Sequence, residues 1–566
     1  MSMNMGNVVY WHKNQVIIRL EPQLPPTQTI LTGIQNSLNT TLNNLNLQLQ
    51  IFDAISLSSP PASADSKGSA NTLLFCHIIP AMPDDEGAVS MGNDDNTLAV
   101  IKHFSMNNNK ILQTALQEQK LSTDHKPIPH WLWSGTDDTI HGCPVSPPIP
   151  VEDSKEPGQW KITLPQLADS SLQQKTGEGV TVFVLDTLPA MEQVERTAKK
   201  AHSNLLLQKM VSRNTNSPQQ GTTSPAIKYN YSIDVPEPAE SAMTGKDIYG
   251  RLVGFPMADH GLAISGIIRD MAPAANIECV RVLNDYGVGN LLALLKALTS
   301  IQQWMDNHKN SPVVINMSLV VLPPENGIPD GVTDDILQSS REVLYNHMQK
   351  LADSGAVFVA TAGNDSDPRD TMMNRSEIRF GPRYPAALAY DTPPVTALIP
   401  VGAVNRNGKP AMYSNHPGHL GIATYGGELP KPDPWLPSAM YHGTTRVDTS
   451  EPIDALRCLH TASVYPALSA NDHHAILPSS SSAYPMYEAS NTWAYWSGTS
   501  FASPIISALA ALLLQGQDPQ SFDVRQAIID AATEMMWTRI GDDKEDIGGH
   551  MIMAVQEWQP ENTPSS

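Results

Sequence analysis

The chain reads as α/β: an open, mostly parallel sheet with helices on both faces, joined to a small α/β domain at the N-terminus. Three observations predict this. From residue 160 onward, near-continuous apolar runs such as 179–185 (GVTVFVL) and 356–360 (AVFVA) alternate with helix-length segments, the pattern of strands buried on both faces. The segment 505–514 is apolar on every side, and such a helix belongs in the middle of a large domain. Residues 1–125 carry their own strand and helix pattern and are set off by a proline-rich stretch.

Taken in order, residues 15–20 read as a strand, and 29–45 as an amphipathic helix through Ile30, Leu31, Ile34, Leu38 and Leu42. Residues 73–79 (LLFCHII) are a second strand, and 97–119 join a short apolar run to a helix-like tail. Residues 126–158 contain Pro127, Pro129, Pro144, Pro147, Pro148, Pro150 and Pro157 and read as a linker. The second unit, 159–558, opens with the strand that delivers Asp186, then runs as a polar loop to Asp259. His260-Gly261 opens a helix-like segment in which Gly266 permits close packing. Strand 277–283 precedes helix 288–307, and strand 313–319 precedes helix 333–353, which Gly355 stops. Strand 357–361 leads to Asn364, and 398–404 is a further strand. Residues 427–490 are rich in Pro, Ser, His and Tyr, lack periodicity, and read as an insertion. A turn at Gly498 opens the apolar helix at Ser500, with Pro504 expected in its first turn, where a missing N–H costs little. A helix over 524–536, a closing segment over 547–558 and a tail, 559–566, complete the chain.

Composition limits the partners. A length of 566 residues suggests roughly two to four domains. A hydrophobic share of 41% allows a sizeable core, and a net charge of −21 argues against nucleic acid or anionic membrane, both of which need basic patches. Cys76, Cys143, Cys279 and Cys458 are scattered and read as buried or free thiols. No stretch reaches the ~18 apolar residues of a membrane span. Residues 1–12 lack a basic region followed by an apolar core, so the expected location is cytoplasmic. Asp84-Asp85-Glu86 and Asp94-Asp95 read as solvated loops, and His473 and His474 as surface histidines, because neither group has ligands at supporting spacing.

Four polar residues remain, each at the end of its own element: Asp186, His260, Asn364 and Ser500. Individually they have bland readings as helix caps, a turn residue and a core histidine. In this order and company the sequence resembles the subtilisin-like serine proteases, the subtilases. Gly498-Thr499-Ser500-Phe501-Ala502-Ser503-Pro504 looks like the family's Gly-Thr-Ser-x-Ala-x-Pro. His260-Gly261 with Gly266 is similar to its histidine motif, and Ala362-Gly363-Asn364 to its Ala-Gly-Asn. Met271-Ala272-Pro273, residues 314–319, Tyr384-Pro385-Ala386 and residues 400–404 extend the likeness over 160–558, about two-thirds of the chain.

The resemblance implies a serine endopeptidase that acts on a protein or peptide through an acyl-enzyme and needs no cofactor. Ser500 would attack, His260 would take and return the proton, and Asp186 would orient the imidazole. The Asn364 amide and the Ser500 N–H would meet the oxyanion. Ser318, Leu319 and Val320, with Ala362 and Gly363, would border the substrate. Three departures stand out. Thr187-Leu188-Pro189 follows the acid where the family has glycine two places on. Val320 stands where glycine is usual, so substrate preference is not carried over. The loop that holds calcium in many relatives is missing between Gly266 and Met271, so no metal site is expected. Residues 1–125 have the size and position of a subtilase prosegment, which implies an intramolecular inhibitor; the other reading is a permanent accessory domain. The rivals for the whole chain are a catalytically silent binding or scaffold protein, and an enzyme of ligase or exopeptidase type.

Overall fold

The computed structural model describes residues 11–21, 27–58, 70–81, 95–117, 119–123, 125–134, 148–151, 153–168, 171–211, 227–235, 257–285, 287–321, 332–364, 366, 379–428, 453–461, 492–537 and 547–561. In the N-terminal unit, strand β1 (Trp11–Leu20) is followed by helix α1 (Gln28–Leu42), β2 (Leu47–Ser58), β3 (Ala70–Pro80), α2 (Thr97–Gln117) and β4 (Ile128–Ser134). Thr27 caps α1 by accepting the Ile30 N–H, and Ile34, Leu38 and Leu42 form its buried stripe. Residues 97–117 are helical from the first residue, so the apolar run expected there is part of α2.

The second unit contributes β5 (Ile149–Val151), β6 (Gly158–Thr163), β7 (Thr181–Asp186), α3 (Met191–Lys200), α4 (Leu205–Val211), β8 (Lys228–Asn230) and α5 (His260–Met271). Next come β9 (Asn276–Arg281), β10 (Val288–Asn290), α6 (Leu291–Asn307), β11 (Val313–Met317), α7 (Asp334–Asp353), β12 (Ala356–Thr361), β13 (Leu398–Val404) and β14 (Ile422–Tyr425). The chain closes with β15 (Leu456–Leu459), β16 (Trp493–Trp496), α8 (Thr499–Leu514), α9 (Val524–Ala531), β17 (Thr533–Trp537), β18 (Ile547–Met551) and β19 (Val555–Pro560).

A nine-stranded sheet runs β17-β18-β14-β13-β12-β11-β7-β9-β8, parallel throughout except for the β17–β18 pair. Strands β7, β11, β12 and β13 are buried at every position, which is why they appear in the sequence as continuous apolar runs. Helix α8 crosses one face of this sheet among α3, α4 and α5. Helices α6 and α7 cover the other face, and their hydrophobic core is continuous with that of the N-terminal unit. The alternation β–α–β that sets this layering is the fold class expected from the sequence.

Several boundaries are corrected. Within the expected linker 126–158, residues 128–134 form β4, which pairs with β1 on one side and with β10 on the other. The five-stranded sheet β10-β4-β1-β3-β2 is therefore completed by a strand of the second unit. Trp131 of β4 is fully buried and donates to Ser340 Oγ on α7 at 2.7 Å. His130 Nδ1 bonds Gln15 Oε1 at 2.6 Å while its Nε2 accepts the Leu292 N–H at 3.3 Å. Burial, then His12 and His77, hold its pKa well below the usual histidine range. Residues 149–151 form β5, paired with β16. Proline is tolerated at 129 and 150 because each lies in a short strand pairing. The helix expected over 524–536 ends at Ala531 and is followed by β17, and the expected tail contributes Gln559 and Pro560 to β19. Of the expected insertion, 427–428 and 453–461 are described, the latter including β15; 429–452 and 462–490, with His473 and His474, lie outside the described residues, as do Asp84, Asp85, Glu86, Asp94 and Cys143. Cys76, Cys279 and Cys458 are free and buried. Among the described residues no cluster of His, Cys, Asp and Glu could hold a metal, and no helix is long and apolar enough to cross a membrane.

Candidate active site

Asp186 is the last residue of β7, and its carboxylate is set by the residue after it. The Thr187 N–H donates to Asp186 Oδ1 at 2.6 Å. Thr187 Oγ1 lies 3.1 Å from the Met257 carbonyl and 3.0 Å from that of Ala258, and accepts the Gly261 N–H at 3.1 Å. One threonine thus ties the end of β7 to the first turn of α5. Glycine at 261 is required by this approach, since a Cβ there would lie 2.1 Å from the Thr187 carbonyl oxygen. His260, the first residue of α5, places Nδ1 2.8 Å from Asp186 Oδ1. The pair is out of solvent, with side-chain exposures of 0% for His260 and 1% for Asp186.

The imidazole is fixed by aromatic neighbours. Trp496 stacks on it with centroids 5.4 Å apart and planes at 24°, and Phe501 meets it edge-on at 5.2 Å. Both neighbours flank Ser500 in the chain. His260 Nε2 and Ser500 Oγ are buried, and neither has a hydrogen-bond partner among the described residues; no direct bond joins them.

Ser500 sits in the first turn of α8, where N–H groups point outward and the helix dipole is positive. The turn depends on Gly498, whose φ of +152° and ψ of 159° fall in a region that side chains exclude. Glycine supplies no cap, and Asn364 supplies one from β12's far end: its Oδ1 accepts the Thr499 N–H at 3.0 Å and Thr499 Oγ1 at 2.8 Å. Thr499 Oγ1 also bonds Thr361 Oγ1. Pro504 lies one turn further in than expected, six residues into α8. Its missing N–H leaves the Ser500 carbonyl without its helical donor, and Ser318 Oγ fills the vacancy at 3.0 Å while lying 3.1 Å from Asn316 Oδ1.

The remaining expected residues fall as follows. Leu319 is fully buried in the core and Val320 is half-buried, with the next residue, Val321, donating to the Tyr384 carbonyl at 2.7 Å. The Ala362 carbonyl accepts from Arg383 N–H at 2.9 Å and Asn415 Nδ2 at 3.1 Å, and the Gly363 carbonyl accepts the Asn415 N–H at 2.9 Å. So Asp186 and His260 are in contact, Asn364 and Ser318 are each bonded to the turn that holds Ser500, and Ala362-Gly363 lead into Asn364.

Sequence reading gave no role to Thr187, Thr499 or Trp496, although Thr499 lies inside the Gly-Thr-Ser motif. It also missed a second buried acid–histidine contact next door: Asp259 Oδ2 lies 2.9 Å from His460 Nδ1, and neither side chain has accessible surface. Nothing in the sequence links residues so far apart, beyond Asp259 being an acid at a helix start.

Residues 254–548 match the family model of the subtilase family. Two solved structures are similar in part: a lanthipeptide protease at 18% identity, covering 64% of this chain and 83% of its own, with a TM-score of 0.35; and a cold-adapted subtilisin-like serine proteinase at 16% identity, covering 67% and 90%, with a TM-score of 0.31.

Proposed function

The chain belongs to the subtilase family, a family of serine peptidases, and from that premise we propose that it is a serine endopeptidase with Ser500, His260 and Asp186 as its triad. The observation that carries this reading is the buried 2.8 Å contact from His260 Nδ1 to Asp186, with Nε2 and Ser500 Oγ both left unpartnered. Nδ1–H donates to the carboxylate, which leaves Nε2 as the lone-pair nitrogen that can take the Ser500 proton. The hydroxyl then attacks the peptide carbonyl, and the imidazolium returns its proton to the leaving amine. Asn364 suits the oxyanion role: its Oδ1 is bonded to Thr499, the residue before Ser500, and its amide carries N–H donors of the kind that role needs.

The N-terminal unit is proposed to act as an intramolecular inhibitor. In support, the chain leaves that unit at Ser134 paired with Val288, and β5 resumes paired with β16, four residues before Ser500. The turn before β10 is bonded to Met257, whose carbonyl accepts the His260 N–H. The two ends therefore flank the candidate site, and Ser500 has no accessible surface.

A fluorophosphonate probe tests the chemistry: labelling that Ser500→Ala abolishes is expected, and a labelled alanine variant or an unlabelled, cleaved wild-type chain contradicts it. Mass spectrometry of products from a peptide library separates endopeptidase action from trimming at chain ends. For the inhibitor, a specific protease site is introduced between residues 134 and 148. Cutting there and diluting should speed labelling; an unchanged rate means that the N-terminal unit does not restrain the site.

A further inference from the structure

We propose that Asp259, His460 and Thr461 form a positioning clamp that sets His260 for reaction; the proposal rests on the peptidase reading above. Asp259 is the N-cap of α5, immediately before His260, yet its side chain accepts nothing from the helix. An N-cap aspartate ordinarily takes an N–H of the first turn. Here the carboxylate is turned to the end of β15. Oδ1 accepts from Thr461 Oγ1 at 2.7 Å, Oδ2 accepts the Thr461 N–H at 2.9 Å, and His460 Nδ1 lies 2.9 Å from Oδ2. Thr461 lies 202 residues further along the chain.

The clamp is anchored at its far end. Gln193 Nε2 on α3 donates to Thr461 Oγ1 at 2.8 Å, and Thr197 Oγ1 donates to the Thr461 carbonyl at 3.1 Å. The His460 N–H bonds the Thr492 carbonyl at 2.9 Å, and Asp153 holds Thr492 through its N–H at 2.7 Å and its hydroxyl at 2.6 Å. From the other side Thr187 grips the carbonyls of Met257 and Ala258. The first turn of α5 is thus held from two directions, one set by the acid of the triad and one by a segment with no chemical role. A base must sit within hydrogen-bond reach of its proton, and a displacement of ~1 Å can cost about 10²-fold in rate. His260 and Asp259 share a peptide bond, so a shift of the clamp moves the ring directly.

The test uses the full-length protein in Asp259→Ala, His460→Gln, Thr461→Val and Thr461→Ser forms. Ser354→Ala, which removes the hydrogen bond that Gln302 donates from α6 just before the N-terminal end of β12, is the control for lost stability. Active sites are counted with a fluorophosphonate, and turnover of a fluorogenic peptide is expressed per counted site. The expected result is a kcat about tenfold to a hundredfold lower in Asp259→Ala and His460→Gln, with KM within about twofold. Thr461→Val loses less, Thr461→Ser recovers the wild-type rate, and Ser354→Ala changes only the melting temperature. Proton NMR gives a second readout: the low-field resonance of the His260 Nδ1–H bonded to Asp186 shifts in Asp259→Ala and stays in place in Ser354→Ala. A folded Asp259→Ala protein with normal kcat per site and an unmoved resonance overturns the clamp and leaves the peptidase reading intact. A loss confined to site count and melting temperature overturns it equally. A wild-type protein with no reactive Ser500 overturns the peptidase reading and the clamp together.

Discussion

Two buried acid–histidine contacts lie one residue apart on α5, and they teach different things. Asp186 and His260 meet at 2.8 Å, Asp259 and His460 at 2.9 Å, and all four side chains are out of solvent. Distance and burial do not separate the pairs. What separates them is the surroundings. The first pair adjoins the turn that opens α8: Trp496 and Phe501 pack on its imidazole, and Ser500 lies between them in the chain. The second is knitted into Thr461, which three other side chains hold. A buried acid–histidine contact is therefore no sign of catalysis by itself; what packs around it has to be read with it.

The largest effects should fall on the first pair and on Ser500. Ser500→Ala and His260→Ala each should lower turnover by about 10⁴-fold or more, and the double variant should be no slower than either single one, because the residues act as one unit. Initial rates on a peptide substrate check this; a double variant far slower than both singles breaks the triad assignment. Next comes Gly261→Ala, on the Asp186 side of the helix. Its Cβ would meet the Thr187 backbone oxygen at 2.1 Å, and backbone cannot swing aside. A stability loss of about 1–3 kcal/mol is expected by denaturant unfolding, with a fall in kcat. A neutral result would show that the two segments are not so tightly apposed.

The third measurement concerns the other end of the same helix. Asp270 accepts from Gln159 Nε2 at 2.7 Å and from the Ile162 N–H at 2.6 Å, and burial pushes its pKa up to about 7. A carboxyl raised in the folded state binds its proton more tightly there than when unfolded. Its contribution is complete below about pH 4 and is lost as the pH rises through about 7. Unfolding free energy should thus fall by an order of a few kcal/mol across that interval, and the slope should flatten in Asp270→Asn. The same slope in both proteins would remove Asp270 as its source. The smallest effect should come from Gly266→Ala, on the His460 side. Its Cβ would meet the tip of the Leu459 side chain at 2.9 Å, which can give way, and alanine favours helix. A change under about 1 kcal/mol is expected there, so the contrast with Gly261 measures how differently the two flanks of α5 are packed.

The legible parts of this molecule were those in which one property repeats along the chain. The runs that became β7, β11, β12 and β13 are apolar on both faces, and the all-apolar α8 announced its central place. Strand β4 was not legible because its partners are β1 and β10, and its prolines suggested a linker. Met535 and Met536 read as a continuation of α9, but the antiparallel pairing of β17 with β18 decides their backbone. Of the site, Asp186, His260, Asn364 and Ser500 could be named from motifs, while their relation to Thr187, Asp259 and His460 could not. Those contacts depend on where β7, α5 and β15 come to lie, which no local pattern encodes.

Strand β10 belongs to the second unit in sequence and to the N-terminal sheet in hydrogen bonding. A strand owned by two bodies leaves two raw borders when they part. Release of the N-terminal unit would bare the row of N–H and C=O groups on β4 from Leu132 to Ser134, and the matching row on Val288-Gly289-Asn290. Each row is then a template of defined direction and register, ready for any extended chain of suitable sequence. Under the inhibitor proposal, the freed fragment and an incoming polypeptide would compete for the same docking rail, and the time for which the fragment stayed away would set how long that rail was free.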